Sequence, residues 1–151
     1  RILGQDVSIF DATANNEFYV RFGHEQTTPG LHSAKDGVTI GHLESGYDLI
    51  VATVGEHVES EENLDSFHEW RIERCVPWAG YEITSKHHAL ACGLSVDIHP
   101  SKGCYIGQEV LTRMISRKKQ GRALSIVAND EVQSSEITTQ GESRSLAIVR
   151  V

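Results

Sequence analysis

The chain has 151 residues, enough to bury a core without disulfide staples. Apolar residues make up 39% and charged residues 23%, a globular balance, and no apolar run reaches the length of a membrane-spanning helix. Fourteen Lys and Arg against twenty-one Asp and Glu give a formal charge of −7, which argues against a general nucleic-acid binder. Three cysteines, an odd number, and no signal-peptide pattern at Arg1-Ile2-Leu3-Gly4 argue for reduced thiols in a cytosol-like compartment.

Asp6-Val7-Ser8-Ile9-Phe10 alternates weakly and suggests a strand, and Phe18-Tyr19-Val20-Arg21-Phe22 suggests a second. Residues 23–37, with three Gly and one Pro, read as loop. Residues 46–54 form the strongest strand signal, an apolar run that reads as buried. Residues 55–62 are acidic and polar. The best helix follows over residues 63–75, with Asn63 as N-cap and Asp65 in the first turn. Leu64, Phe67, Trp70, Ile72 and Cys75 share a broad face of it, with Arg71 near the middle. A guanidinium on an apolar face needs an anion. Either Arg71 reaches water or pairs with an internal carboxylate, or it faces a ligand pocket.

Pro77 closes that helix, and residues 81–84 suggest a short strand. After a stretch with little regular signal, a short helix is expected over residues 108–114. Residues 122–128 read as strand, 129–143 as polar loop and 145–151 as a last strand. The pattern divides the chain into residues 1–90, mixed strand and helix, and residues 91–151, mostly strand. The fold class expected is α+β.

One segment carries chemistry: Lys102-Gly103-Cys104-Tyr105-Ile106-Gly107-Gln108-Glu109. It sets a cysteine on a glycine-flanked turn just before a helix. Lys102 and the free N–H groups of the helix start both favour a thiolate. The plainer reading is a small buried hydrophobe.

Other constellations are weaker. Cys92, His99 and Cys104, with His87-His88 nearby, match no zinc-finger spacing, so no metal is assigned. There is no G-x-S-x-G elbow and no glycine-rich phosphate loop. Lys118-Lys119 with Arg113, Arg117 and Arg122 form a local basic cluster, read as a solvated turn or as a contact for a polyanionic tail or an RNA phosphate.

The run KGCYIGQEVLTRM, followed by Arg117, Gly121 and Arg122, resembles the signature of the YgfZ-type folate-binding proteins, in the superfamily of the glycine-cleavage T protein (aminomethyltransferase). Cys104 places it on the YgfZ side. Arg71-Ile72-Glu73 with Pro77, Gly80 and Glu82, and Glu44-Ser45-Gly46-Tyr47-Asp48, are similar to two further family segments.

The resemblance implies a folate-binding module of the aminomethyltransferase type over residues 1–90. A curtailed β-barrel-like part would follow over 91–151. It implies tetrahydrofolate or a derivative as cofactor, with Glu44, Tyr47 and Arg71 at the ligand. Cys104 would be the reactive thiol, assisted by Lys102, and Gly103, Tyr105, Gly107, Gln108, Glu109 and Arg113 would complete the motif. The function implied is an accessory factor for assembly or repair of iron–sulfur enzymes. Its partners would be iron–sulfur proteins or assembly factors, in the cytoplasm or the mitochondrial matrix, with no membrane or nucleic acid. The alternatives are an aminomethyltransferase-like enzyme and a degenerate folate-binding module without catalysis. The family's transfer aspartate has no visible counterpart here, which points away from catalysis. Family chains are commonly longer, so the chain reads as N-terminally truncated, with a partner chain to supply the missing half.

Overall fold

A computed structural model describes residues 11–24, 28–99, 103–117 and 119–151. It is α+β, with two α-helices and two antiparallel sheets in two compact units, Arg1–Glu61 and Glu62–Val151. The boundary lies at the acidic stretch after the first sheet, well before residue 90, because the helix that follows packs with the C-terminal strands. Among the described residues, no helix is long and apolar enough to cross a membrane. The strand expected at Asp6 to Phe10 lies outside the described residues.

The first unit begins with a 3-10 turn, Thr13–Asn15. Four strands follow: β1 (Asn16–Arg21), β2 (His32–Lys35), β3 (Val38–His42) and β4 (Asp48–Thr53), in the order β1-β4-β3-β2. Two of them, β2 and β3, lie where no strand is expected. β2 falls inside the stretch read as loop, and all four of its residues are exposed. Asp36-Gly37 joins it to β3, with φ 49° and 75°, the left-handed pair that a two-residue hairpin requires. β4 lies between β1 and β3, pairing Phe18 with Val51 and Ile40 with Ile50. Only alternate residues, Asp48, Ile50 and Ala52, are buried, so β4 buries one face rather than both.

In the second unit, α1 (Leu64–Arg74) starts where Asn63 caps it, its side chain accepting from the Ser66 N–H at 3.0 Å. It ends at Cys75, which adopts a left-handed conformation (φ 55°) two residues before Pro77. Residues 81–84 form a turn with an isolated bridge, Ala79 to Ile83, instead of a strand. The N–H groups of Tyr81, Glu82 and Ile83 all converge on the Trp78 carbonyl at 3.1–3.3 Å, so they donate to a turn and not to a neighbouring strand. α2 spans Gln108–Arg117.

Strands β5 (Arg122–Ala128), β6 (Ile137–Gln140) and β7 (Arg144–Arg150) form a sheet in the order β5-β7-β6. β6 emerges from the polar stretch read as loop. The sheet corrects the barrel-like expectation: among the described residues it is open, with β5 and β6 as edges. Three strands cannot take the tilt and stagger that closure demands.

Ser145, Leu146, Ala147 and Ile148 of the central strand are all buried. Ile148 meets Ala91 and Cys92, with Ile83, Leu94 and Leu124 around them. α1 approaches the β6–β7 turn so closely that a Cβ on Gly141 would lie 2.5 Å from the Arg144 carbonyl and 2.7 Å from Cδ1 of Ile72. The Glu142 N–H donates to Oε1 of Glu69 at 2.8 Å and fastens that approach.

Candidate functional site

The glycine-flanked turn that carries Cys104 runs into α2. Gly107 takes φ 86°, a conformation that suits glycine, and the Gln108 N–H donates to the Tyr105 carbonyl at 3.2 Å. Gly103 and Cys104 are exposed, Tyr105 is half-buried, and Ile106 projects fully into solvent. Gln108 is half-buried, whereas Glu109 and Arg113 are exposed. No residue of α2 is buried: Val110 and Ile115 stand in solvent, and Leu111 and Met114 are half-covered. Lys102 lies outside the described residues.

The three cysteines occupy different surroundings. Cys92 is buried, Cys75 is half-buried and Cys104 is exposed. Burial pushes the thiols of Cys75 and Cys92 up, and the Glu82 carboxylate adds to both shifts. The Cys92 thiol donates to the Glu82 carbonyl at 3.2 Å, as a packed thiol does.

Arg71 lies on the apolar face of α1, as its spacing requires, and its side chain has no exposed surface. A guanidinium has five N–H donors, and all five are engaged within this unit. Nη1 donates to Oε2 of Glu82 and to the Val76 carbonyl, each at 2.9 Å. Nη2 donates to Oγ1 of Thr139 and to Nδ1 of His68, each at 2.9 Å, and Nε reaches the same His68 nitrogen at 3.2 Å.

Glu82 is equally complete. Oε1 accepts from the hydroxyls of Thr138 (2.7 Å) and Thr139 (2.6 Å), and Oε2 also accepts from the Trp78 N–H at 3.0 Å. Because Nδ1 of His68 accepts, its proton sits on Nε2, which donates to the Tyr81 hydroxyl at 3.2 Å. Burial and the neighbouring Arg71 charge push the His68 pKa down, so it stays neutral. Of the two readings of Arg71, the geometry matches the internal carboxylate. Glu82, His68 and Thr139 are the partners that sequence reasoning did not supply.

Glu44 and Tyr47 belong to the first unit. Glu44 is exposed on the β3–β4 turn, which is closed by the Leu43 N–H to the Tyr47 carbonyl at 3.1 Å. Tyr47 is half-buried. Next to it stands a cluster that the sequence alone did not suggest. Pairing sets Arg21 and His42 opposite Asp48 on either side. Asp48 accepts from Nε of Arg21 at 2.9 Å and from Nδ1 of His42 at 2.7 Å, and Nε2 of His24 lies 3.1 Å away. Burial alone would raise the Asp48 pKa. The bonds from His42 and Arg21 outweigh it and hold the carboxyl below the usual range. The signal for this row lies in strand register, which no single segment displays.

Among the described residues, no three His, Cys, Asp or Glu side chains are grouped to hold a metal ion. The chain matches no protein-family model, no curated protein and no solved structure.

Proposed function

We propose that the chain is an accessory factor that binds a tetrahydrofolate derivative and offers a thiol to iron–sulfur enzymes during their assembly or repair. This is the role implied by the resemblance to YgfZ-type proteins. The observation that supports it is Cys104, the exposed cysteine of the three, standing on the glycine-flanked signature turn. An accessible thiolate attacks electrophiles and ligates soft metals, whereas Cys75 and Cys92 are withdrawn from both tasks. Arg71 serves the fold in this reading, because its donors are already engaged. Folate recognition then rests on Glu44 and Tyr47.

The experiment has two arms. Calorimetry with 5-formyl-tetrahydrofolate is expected to show binding that Glu44→Gln weakens roughly tenfold or more, as loss of a charge-assisted contact does. Reactivation of a partly demetallated iron–sulfur dehydratase is expected to depend on Cys104 and to fail with Cys104→Ser. Absence of folate binding, or full reactivation by Cys104→Ser, overturns the proposal. Ammonia release from an aminomethyl-lipoyl donor would establish the transferase instead.

A further inference from the structure

Lys86, His87 and Arg122 line two adjoining clefts of the second unit, with volumes of about 400 and 680 Å³, within the range of small-molecule sites. Arg150 completes the smaller cleft. Its lining therefore carries three permanent cations and no carboxylate, in a chain whose formal charge is −7.

Arg122 and Arg150 stand directly opposite each other in the β5–β7 pairing. Like charges placed in this way destabilise a sheet unless something neutralises them. Arg122 is held in place, its Nη1 donating to the Ile148 carbonyl at 2.9 Å. The same nitrogen lies 3.6 Å from Oε1 of Glu136 on the side of the larger cleft. Among the described residues, Lys86 and Arg150 have no carboxylate within ion-pair distance. His88 fixes the wall. Its Nδ1 accepts from the Ala91 N–H at 3.1 Å, so Nε2 carries the proton and donates to the Gln120 carbonyl at 3.1 Å. That clasp ties the 86–91 loop to the start of β5 and keeps Lys86 and His87 beside the two arginines.

We infer that this cleft binds a small multivalent oxyanion, a phosphate ester or a polycarboxylate, with Lys86, Arg122 and Arg150 as its charge partners. Two or more negative charges on one ligand relieve the arginine pair and neutralise Lys86 together. The remaining volume of the larger cleft, with the half-exposed Tyr81 ring at its wall, accommodates the body of the ligand. The cleft uses neither Cys104 nor the Glu44 and Tyr47 side chains.

Calorimetry on the full chain at low ionic strength, with inorganic pyrophosphate and with citrate as probes, tests it. One-to-one binding is expected, weakened at least tenfold by Arg150→Gln and by Lys86→Gln. It should be unchanged by Arg144→Gln, which removes an exposed cation from the other end of β7. Tighter binding of pyrophosphate assigns a phosphate ester, and tighter binding of citrate assigns a polycarboxylate. Thermal melts add a second measurement. Without multivalent anion, Arg150→Gln is expected to melt no lower than the parent, and the better probe should raise the melting temperature of the parent only. The proposal is overturned by no saturable binding of either probe, or by equal losses in Arg144→Gln and Arg150→Gln.

Discussion

Arg71 and Glu82, eleven residues apart in the chain, meet at 2.9 Å with neither side chain exposed. A buried ion pair of this kind rarely exceeds a well-packed apolar pair in stability, because both charges lose their water. What it does supply is interdependence, since removal of one partner strands the other.

Arg71→Ala is therefore expected to lower the unfolding free energy by about 3–5 kcal/mol, the usual effect of an uncompensated buried charge. Urea unfolding followed by the fluorescence of Trp70 and Trp78 measures it. The double variant Arg71→Met with Glu82→Leu should recover most of the loss. A single variant within about 1 kcal/mol of the parent, the range of an exposed pair, would show that the pair is not sealed from water.

The neutral His68 makes the second unit sensitive to acid. Its pKa is depressed by burial and by Arg71, with Asp65 and Glu82 acting the other way. Above its ordinary value of about 6.5 the histidine is neutral both folded and unfolded, and its contribution to stability is fully present. Below that value the unfolded chain binds a proton that the folded chain refuses, so stability falls until the folded pKa is passed. Urea midpoints measured from pH 8 to pH 5 should decline in the parent, and less steeply in His68→Gln. Parallel pH profiles for the two proteins would remove His68 from the account.

Iodoacetamide at neutral pH is expected to modify Cys104 first, then Cys75, with Cys92 last, as read by peptide mass mapping. The order follows exposure, and for Cys75 and Cys92 it is reinforced by thiols that burial holds protonated. Faster labelling of Cys92 than of Cys104 would contradict the packing around Ala91 and Ile148.

Gly141→Ala places a methyl group against the Arg144 carbonyl, Cδ1 of Ile72 and Oε1 of Glu69, all nearer than 3 Å. Backbone cannot yield as a side-chain tip can, so a loss of about 1–3 kcal/mol in a denaturant melt is expected. Gly103→Ala is the control, because nothing lies within 4 Å of the added carbon. Equal stability of the two variants would mean that α1 does not press on the β6–β7 turn.

Helix α1 and strands β1, β4, β5 and β7 are legible in sequence because their apolar residues recur at helical spacing or cluster in short runs, and Asn63 marks the helix start. β2, β3 and β6 are not, β3 because it is the short partner strand of the Asp36-Gly37 hairpin and β2 and β6 for different reasons. β2 (His32–Lys35) buries nothing, so it has no apolar pattern, and its position follows from the Asp36-Gly37 hairpin. β6 turns a polar side chain inward: Thr139 is buried for the hydroxyl that joins Arg71 to Glu82. A polar core cannot be seen by a reading that equates burial with hydrophobicity. The same holds for the site. Arg71 stands out on an apolar face, yet its partners come from a turn and from a strand 68 residues away. The run around Cys104 is contiguous, so its glycine-flanked turn before a helix can be read without knowing the fold.

Helix α2 contributes no buried side chain, whereas β7 buries four consecutive residues. A ten-residue helix is too short to persist by propensity alone. Its amide protons should therefore exchange with deuterium through local opening, while those of β7 wait for the whole unit to unfold. Cys104 lies immediately ahead of this loosely held segment, so the reach of its sulfur is set by a helix–coil equilibrium rather than by a rigid pocket. Any molecule that clasps the apolar side of α2 will slow deuterium uptake there and alter the timing of thiol chemistry without touching the sulfur.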